Sequence, residues 1–274
     1  MLKFCKQILI MRFPKKSLGQ HYLIDRNIIR KIIDTVKINN RDVIEIGPGK
    51  GALTEEILKR KPKSLTLIEK DDGLSENLKL KYFDINLLKI FNADILKFNL
   101  EKIIKKDTVV FGNLPYNISS QILVKILRFK IWPPEFKDLV FMFQKELGEK
   151  IVCKYPSPKY GRLSILRNYR LDIDKSFNVS SNCFFPKPKV SSMVIHFKPK
   201  KNLMKNIKKL ENLEKVTNIF FSGKRKMINK NIKKVLNKSD IDKIHAISLS
   251  KRPSEVKPEI YYKITELFEK RSVN

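Results

Sequence analysis

Short apolar runs alternate with helix-like patterns through the first two thirds of the chain. Five runs of β-branched and aromatic residues predict strands: Asp42–Ile46, Ser64–Ile68, Asp84–Phe91, Thr108–Phe111 and Leu139–Phe143. Apolar positions recur at helical spacing over Arg26–Val36 and over Ile118–Phe129. A later pattern at Val194, Ile195 and Phe197 predicts a closing strand. Strands that alternate with helices indicate an α/β fold with a parallel-type sheet.

The pattern changes after a lysine-rich linker at residues 198–204. Residues 205–274 predict short helical segments with few strand signals. We therefore expect three parts, which are a loose N-terminal extension over residues 1–14, the sheet domain over 15–200, and a small helical, basic domain over 201–274.

A glycine-rich turn follows the first predicted strand. Gly47-Pro48-Gly49-Lys50-Gly51 lies between that strand and a helical pattern marked by Leu53, Ile57 and Leu58. The order strand, glycine turn, helix brings backbone close to a ligand. Glu45 would place a negative charge where a pyrophosphate should lie, so this turn favours a cationic ligand. A plain glycine turn is the alternative.

Acidic residues follow the next two predicted strands. Glu69 ends the second strand, and its distance from the last glycine suits a carboxylate that accepts both ribose hydroxyls. Asp94 follows the third strand, where it could accept a hydrogen bond from an adenine amino group or simply cap a turn.

Asn113-Leu114-Pro115-Tyr116 directly follows the fourth predicted strand. The amide can bond the edge of a base, the proline stiffens the backbone, and the tyrosine offers a face for stacking. The loop resembles the Asp/Asn-Pro-Pro-Tyr/Phe loop of methyltransferases that act on exocyclic amino groups. An ordinary Asn-x-Pro turn is the alternative.

A second aromatic segment, Phe184-Phe185-Pro186-Lys187-Pro188-Lys189-Val190, comes late in the sheet domain. Aromatic rings next to lysines could form a second stacking face beside phosphate contacts. A proline-rich crossover with buried phenylalanines would give the same pattern.

The composition is strongly basic. Lys and Arg number 58 against 28 Asp and Glu, a formal charge of +30. This excess favours a polyanionic partner, with RNA, DNA and an anionic membrane as candidates, although codon bias explains some lysines. Residues 222–234 concentrate the charge, and we predict phosphate contacts there from Lys224, Arg225 and Lys226.

The cysteine and histidine positions argue against a metal site, and the hydropathy pattern argues against a membrane span. Three scattered cysteines and three dispersed histidines show no metal-ligand spacing, so we expect a reduced protein without a metal. No apolar stretch approaches the ~20 residues that a membrane span needs. We expect a cytoplasmic monomer that does not associate with a membrane. The residues in question are Cys5, Cys153, Cys183, His21, His196 and His245.

Taken in order, these motifs resemble the small-subunit ribosomal RNA adenine N6,N6-dimethyltransferases, which are class I S-adenosylmethionine-dependent methyltransferases. The resemblance runs from about Lys15 to Tyr262. This chain departs from the family at His21, where Asn is usual, at Tyr22, where Phe is usual, and at Met227, where Leu is commoner. The motifs are LGQHYLID (18–25), EIGPGKGALT (45–54), Glu69, Asp94, NLPYNIS (113–119), QKE (144–146), FFPKPKVSS (184–192), SGKRKMINKNIKK (222–234) and SKRPSEV (250–256).

The resemblance implies a Rossmann-like sheet of seven strands, followed by a small all-helical domain. It implies S-adenosylmethionine as the methyl donor and two adjacent adenosines near the 3′ end of small-subunit RNA as the substrate. It also implies that the Asn113 side chain and the Leu114 carbonyl bind adenine N6, while Tyr116 and Phe184 sandwich the base. The donor-binding residues that it implies are His21, Leu23, Gly47, Glu69, Asp94 and Asn113.

Three alternatives remain open at this stage. The large-subunit enzymes of macrolide resistance share the fold, but usually have Ser-Gln where Gly19-Gln20 stands and Ile where Leu114 stands. A DNA adenine-N6 methyltransferase would use a similar loop. A ribosome-assembly factor could bind precursor RNA without turnover, although such a protein has no use for a complete donor site.

Overall fold

Nine strands and ten α-helices make up the part of the chain described by the computed structural model, which covers residues 21–203, 207–244 and 247–271. The predicted extension over 1–14, the first residues of the LGQHYLID motif, Cys5 and His245 lie outside this part. The strands are β1 (Tyr22–Leu23), β2 (Asp42–Ile46), β3 (Ser64–Glu69), β4 (Leu88–Asn92), β5 (Thr108–Asn113), β6 (Phe136–Gln144), β7 (Leu171–Val179), β8 (Phe184–Phe185) and β9 (Ser192–Pro199).

The helices connect these strands and then continue alone after β9. They are α1 (Arg26–Ile33), α2 (Ala52–Lys59), α3 (Asp72–Lys81), α4 (Ser119–Leu127), α5 (Lys145–Val152), α6 (Arg162–Arg170), α7 (Leu210–Phe221), α8 (Asn229–Ile232), α9 (Lys238–Asp242) and α10 (Pro258–Arg271). Among the described residues, no helix is both long and apolar enough to cross a membrane.

Seven strands form one mixed sheet in the order β4-β3-β2-β5-β6-β9-β7. The first five of these are mutually parallel, and β9 runs antiparallel to both β6 and β7. The predicted seven-stranded α/β class is therefore confirmed.

The chain reverses its direction of travel across the sheet between β2 and β5. It passes from β2 to β3 and β4, and then returns to place β5 on the other side of β2. In register, Ile46 of β2 lies opposite Gly112 of β5. The glycine turn after β2 and the Asn113 loop after β5 consequently leave the sheet side by side, at the switch point where α/β sheets bind ligands.

Later segments reach the same edge of the sheet. Ser192, at the start of β9, pairs with Gln144 at the end of β6. Ahead of β9, the two-residue strands β1 and β8 form a separate antiparallel ribbon, with Tyr22 opposite Phe185 and Leu23 opposite Phe184. The ribbon joins the N-terminal segment to the FFPKPKV segment.

One strand of the sheet is shorter than predicted, and another was not predicted. The third strand begins at Leu88, whereas the sequence pattern predicts Asp84–Phe91, because residues after α3 form a turn before the strand starts. The sequence pattern also does not predict β7. This strand lies at the edge of the sheet and carries Asp172, Asp174 and Lys175, the charged composition by which edge strands resist further pairing.

The C-terminal helices share a core with the sheet domain. Tyr169 of α6 accepts a hydrogen bond from the amide of Ile207 at 3.1 Å, and Tyr262 of α10 donates one to the Ile165 carbonyl at 3.2 Å. One continuous hydrophobic cluster includes both Phe143 of β6 and Phe220 of α7. The predicted boundary between residues 200 and 201 stays a prediction.

Close packing around Gly112 fixes the end of β5. A Cβ at this position would lie 2.6 Å from Leu114 Cδ2 and 3.0 Å from Phe141 Cε1. Both neighbouring side chains are buried, Leu114 at 2% exposure and Phe141 at 0%, so neither has free space to move into. Only glycine lets the strand end this close to β6.

We predict that Gly112→Ala lowers the free energy of unfolding by about 1–3 kcal/mol, the usual effect of overpacking a filled core. Urea unfolding followed by circular dichroism measures the change. Gly161→Ala is the matched control, because its added Cβ would have Phe221 Cε1 as its nearest neighbour at an ordinary 4.0 Å. Equal losses in the two variants would contradict the packing argument.

Candidate active site

A cavity of about 550 Å³ opens at the carboxyl ends of β2, β3 and β5. Its volume lies within the range of about 300–1,000 Å³ that small-molecule sites occupy. All six predicted donor-binding residues line it, together with two of the other predicted site residues. These residues are His21, Leu23, Gly47, Glu69, Asp94 and Asn113, with Leu114 and Tyr116.

The glycine turn adopts a backbone that other residues rarely take. Gly47, Gly49 and Gly51 have φ values of 69°, 58° and 84°. At Gly51 a side chain is excluded for a second reason, since a Cβ would lie 2.9 Å from the Tyr82 hydroxyl. The turn thereby exposes backbone to the cavity just before α2 begins at Ala52.

Glu69 connects this turn to β3. One carboxylate oxygen accepts a hydrogen bond from the Gly49 amide at 3.0 Å, and the other accepts from the Asp71 amide at 2.9 Å. Burial outweighs these bonds and leaves the pKa of Glu69 raised. The Lys70 amide also bonds this carboxylate, and since two oxygens offer about four lone pairs, at least one lone pair stays available to a further donor. The predicted bonds to ribose hydroxyls stay a prediction, but the carboxylate already orders the turn.

Asp94 is held in its ionised form. Its Oδ2 accepts a hydrogen bond from Lys70 Nζ at 2.8 Å, and its Oδ1 accepts from the Leu96 amide at 2.9 Å. The Lys70 bond is the main cause of the lowered pKa of Asp94, and the Leu96 amide adds to it. A charged acceptor at this end of the cavity suits an amino group.

Glu45 differs from the expectation for a charged residue. Its side chain is 1% exposed, and Thr54 donates a hydrogen bond to Oε2 at 2.6 Å. Burial, helped by repulsion from Glu69, raises the pKa of Glu45 to about 8. At neutral pH burial therefore favours the protonated form of this carboxyl.

The Asn113–Tyr116 loop is fixed at both ends. Asn113 Nδ2 donates to the backbone carbonyl of His21 at 3.4 Å, and the Tyr116 hydroxyl lies 2.6 Å from Ser192 Oγ. Leu114 packs inward at 2% exposure. Within the described part of the chain, the Asn113 side-chain oxygen and the Leu114 carbonyl have no hydrogen-bond partner. Both residues line the cavity, so these two acceptors face the space that a ligand would occupy.

His21 joins three separate segments. Its ring stacks on Tyr116, with centroids 5.7 Å apart and planes at 28°. Its Nδ1 donates a hydrogen bond to the Pro186 carbonyl at 2.8 Å, while its own carbonyl accepts from Asn113. The predicted contact of His21 with the donor stays a prediction. In the structure, this residue positions the loop that would receive the base.

Phe184 is the predicted stacking residue that the structure does not bring to the cavity. Its ring is 3% exposed and packs in the core beside Leu23. The next residue, Phe185, is 60% exposed. The proposed sandwich of a base between Tyr116 and Phe184 therefore stays a prediction.

Sequence reasoning missed several residues that shape the site. Ser192 fixes Tyr116, the Pro186 carbonyl fixes His21, and Tyr22 lines the cavity with Lys50 Nζ 4.8 Å from its ring centroid. These residues all lie within the sequence motifs, but their roles depend on contacts with residues far away in the sequence, which the motifs do not show.

Charge differs between the interior and the rim of the cavity. The buried carboxyls of Glu45 and Glu69 lie inside, whereas Arg26, Arg30 and Lys50 are exposed along its wall. The inner part suits a compact cation with hydroxyl and amino groups, which fits S-adenosylmethionine. The outer part suits a polyanion.

The predicted RNA-binding residues lie in the turn between α7 and α8. Lys224, Arg225 and Lys226 are all exposed, and none forms a salt bridge with a described acidic residue. Over residues 21–203, 207–244 and 247–271, no group of three or more His, Cys, Asp and Glu could hold a metal ion. Within the same part, Cys153 and Cys183 are free thiols.

A family model and a curated relative both place the chain among enzymes that methylate ribosomal RNA. A family model described as ribosomal RNA adenine dimethylase matches residues 12–270. Ribosomal RNA small subunit methyltransferase A of Pelagibacter ubique is 45% identical over 259 residues, which cover 93% of this chain and 97% of that protein.

Two solved structures resemble the fold closely. A dimethyladenosine transferase from Plasmodium falciparum has a TM-score of 0.76 and 27% identity, over 91% of this chain and 98% of that chain. The 23S rRNA methyltransferase ErmE has a TM-score of 0.68 and 22% identity, over 90% of this chain and 99% of that chain. The second likeness concerns the fold alone.

The raised pKa of Glu45 predicts that donor binding releases a proton. Near pH 7 the free carboxyl is mostly protonated, since its pKa is about 8. A sulfonium in the cavity stabilises the ionised form and lowers that pKa. Calorimetric titration with S-adenosylmethionine, in two buffers of different ionisation enthalpy, measures the protons released. We expect more release from the wild type than from Glu45→Gln, in which Glu69 is the remaining carboxyl with a raised pKa.

S-adenosylhomocysteine is the matched control ligand, because it keeps the amino group but lacks the sulfonium charge. It should release fewer protons than the donor does. Equal release with both ligands, or from both proteins, would show that Glu45 does not sense the sulfonium.

Proposed function

The chain belongs to the ribosomal RNA adenine dimethylase family, and we propose that it dimethylates N6 of two adjacent adenosines in a hairpin loop near the 3′ end of small-subunit ribosomal RNA. It is an rRNA adenine dimethyltransferase that uses S-adenosylmethionine. The observation that supports this most strongly is that the predicted donor residues and the Asn113–Tyr116 loop line one cavity. We further propose that it acts as a cytoplasmic monomer on immature small subunits.

The donor site would divide its contacts by chemistry. Glu69, at the end of β3, would accept from ribose hydroxyls, and Asp94 would accept from the adenine amino group. The glycine turn would lie against the amino-acid end of the donor, near Glu45. When bound there, the donor supplies a methyl group that is already activated by its sulfonium, so the protein needs no strong base.

The chain's main task is to make adenine N6 a better nucleophile. The N6 lone pair is delocalised into the ring, which weakens it. The Asn113 side-chain oxygen and the Leu114 carbonyl, which have no partner among the described residues, would accept hydrogen bonds from the two N6–H groups in the first transfer and from the remaining N6–H in the second. These bonds would localise the lone pair. The N6–CH₃ bond would form as the sulfur–carbon bond breaks, and the N6 proton would leave to solvent.

Tyr116 would hold the flipped base in line with the methyl group. Enzymes that modify a base take it out of its stack and place it against an aromatic side chain. The hydroxyl bond to Ser192 and the stacked ring of His21 already fix Tyr116 in the structure. Because His21 contacts Tyr116, the base would use the part of the tyrosine ring that His21 leaves open. A fixed ring places N6 for attack without further ordering.

Incubation with labelled S-adenosylmethionine and three substrates tests this proposal. The substrates are naked small-subunit RNA, immature small subunits and large-subunit RNA. We expect dimethyladenosine in the small-subunit substrates alone. Label in large-subunit RNA would favour the macrolide-resistance activity, and tight RNA binding without label in any substrate would favour an assembly factor.

Tyr116 variants test the mechanism in the same assay. We predict that Tyr116→Ala lowers kcat/KM by about 5- to 150-fold, the effect of losing one stacked base, with a further loss from misplacing N6. Tyr116→Phe keeps the ring and loses only the bond to Ser192, so it should lose less. Calorimetric donor affinity should be unchanged in both. A Tyr116→Ala protein that loses donor binding but methylates normally once loaded would make Tyr116 a structural residue.

The turn between α7 and α8, called the basic turn here, carries Lys224, Arg225 and Lys226 and gives a separate prediction. Changing Lys224, Arg225 and Lys226 together to Glu should weaken RNA binding regardless of sequence. For every phosphate that the variant no longer neutralises, the log–log salt slope should fall by about 0.7–0.9. Filter binding to small subunits across a salt series measures both quantities, and donor affinity should not change.

A charge-matched control tests whether the position of these residues matters. Lys63, Lys102 and Lys106 are exposed and precede β3 and β5, at the edge of the sheet opposite the cavity. Changing these three to Glu alters net charge equally. If both triple variants lowered the RNA affinity and the log–log salt slope by the same amount, the position of the basic turn would have no special role in RNA binding.

A further inference from the structure

Phe185 presents a large apolar ring to solvent, in the ribbon of β1 and β8 beside the cavity. Its side chain is 60% exposed, whereas the adjacent Phe184 is 3% exposed. A single exposed apolar residue needs no explanation on its own. Its position beside the cavity and the charges around it do call for one.

The pairing of β1 with β8 determines which way the two phenylalanines face. Tyr22 lies directly opposite Phe185, and Leu23 lies opposite Phe184. Residues paired directly across two strands share a face, and successive residues alternate between faces. Leu23 and Phe184 enter the core, so Tyr22 and Phe185 share the other face. Tyr22 lines the cavity, and so does His21, whose ring binds the carbonyl of the next residue, Pro186. Phe185 itself is not a lining residue, but these two contacts place it beside the cavity.

A second apolar residue extends the same rim. Ile24 follows Tyr22 by two positions, lines the cavity, and is 57% exposed. The ribbon that carries these side chains is fixed, since the Ile24 amide donates to the Cys183 carbonyl at 2.9 Å and His21 binds the Pro186 carbonyl. The backbone that carries Phe185 is therefore held in place before any ligand arrives.

The surroundings of this apolar rim are cationic. Arg26 and Lys50 are exposed along the cavity, and Lys187 and Lys189 are exposed just after Phe185. A flat ring between cations matches a nucleobase on its sugar-phosphate backbone, where the ring stacks and the cations neutralise phosphates.

We propose that Phe185 binds a second nucleobase, the neighbour of the target adenosine, by stacking at the mouth of the cavity. This proposal rests on the proposed function. Moving the target base into the cavity removes it from its stack and leaves the adjacent base without a partner. The ring of Phe185 replaces that partner, and so stabilises the opened loop.

The test combines protein variants with RNA that lacks one base. Small subunits are assembled on ligated RNA in which the nucleotide on either side of one target adenosine is intact or abasic, and methylation is measured at that adenosine alone. On intact RNA, we expect Phe185→Ala to lower kcat/KM by about 5- to 150-fold, as expected for one lost stack, with donor affinity unchanged. Phe185→Tyr, which keeps a flat ring, should retain most activity.

The abasic substrates decide whether the ring acts through that base. When the base that Phe185 contacts is missing, the wild type should slow and Phe185→Ala should slow no further. The proposal would be overturned if Phe185→Ala lowered kcat/KM relative to the wild type by the same factor on intact RNA and on both abasic RNAs. It would also be overturned if Phe185→Ala did not lower kcat/KM on intact RNA. Phe83→Ala is the matched control, since Phe83 is 84% exposed and lies between α3 and β4.

Wild-type activity separates this inference from the function on which it rests. If the wild-type protein forms no dimethyladenosine on intact small subunits, the proposed function fails. If it does so and Phe185→Ala behaves like Phe83→Ala, the second-base site alone fails. Loss of donor binding in Phe185→Ala would show a structural role and would also overturn the proposal.

Discussion

The parallel pairing of β2 with β5 is the constraint on which the site depends. It aligns Ile46 with Gly112, and the next residue on each strand begins a functional loop. One loop exposes backbone through its glycines, and the other presents Asn113 and the Leu114 carbonyl. Had the register slipped by one residue, every side chain on β5 would have changed faces and the loops would no longer meet. Dense packing beside Gly112 keeps the register in place.

Electrostatics then assigns two ligands of opposite charge to one opening. Buried carboxyls lie deep in the cavity, where a small cation gains most from them because the surroundings are poorly hydrated. Exposed arginines and lysines lie at the entrance, where a polyanion needs them. The two sets do not cancel, because burial favours the neutral form of Glu45 and Asp94 is paired with Lys70. The cavity can therefore attract RNA without repelling the donor.

The sequence allowed the prediction of the parts that follow local rules. Strands flanked by glycine or acidic residues were recognisable, and so were the Asn113 loop and the helical C-terminal part. The edge strand β7 was not, because its charged residues weaken the apolar pattern that marks a central strand. The orientation of the two adjacent phenylalanines could not be predicted either. Alternation puts them on opposite faces, but only the pairing of β8 with β1 decides which face is the core.

The ties of Tyr116 to Ser192 and of His21 to Pro186 have a consequence for synthesis of the protein. A chain emerges from the ribosome with its N-terminus first, so the donor-side loops are made well before residues 186–192. Until those residues appear, neither the tyrosine nor the histidine has its partner. The short strand β1, which carries Tyr22 and Leu23 on the cavity wall, likewise lacks its partner β8 until Phe184 and Phe185 have been made. The wall of the cavity is therefore complete only once the chain has been made as far as the start of β9.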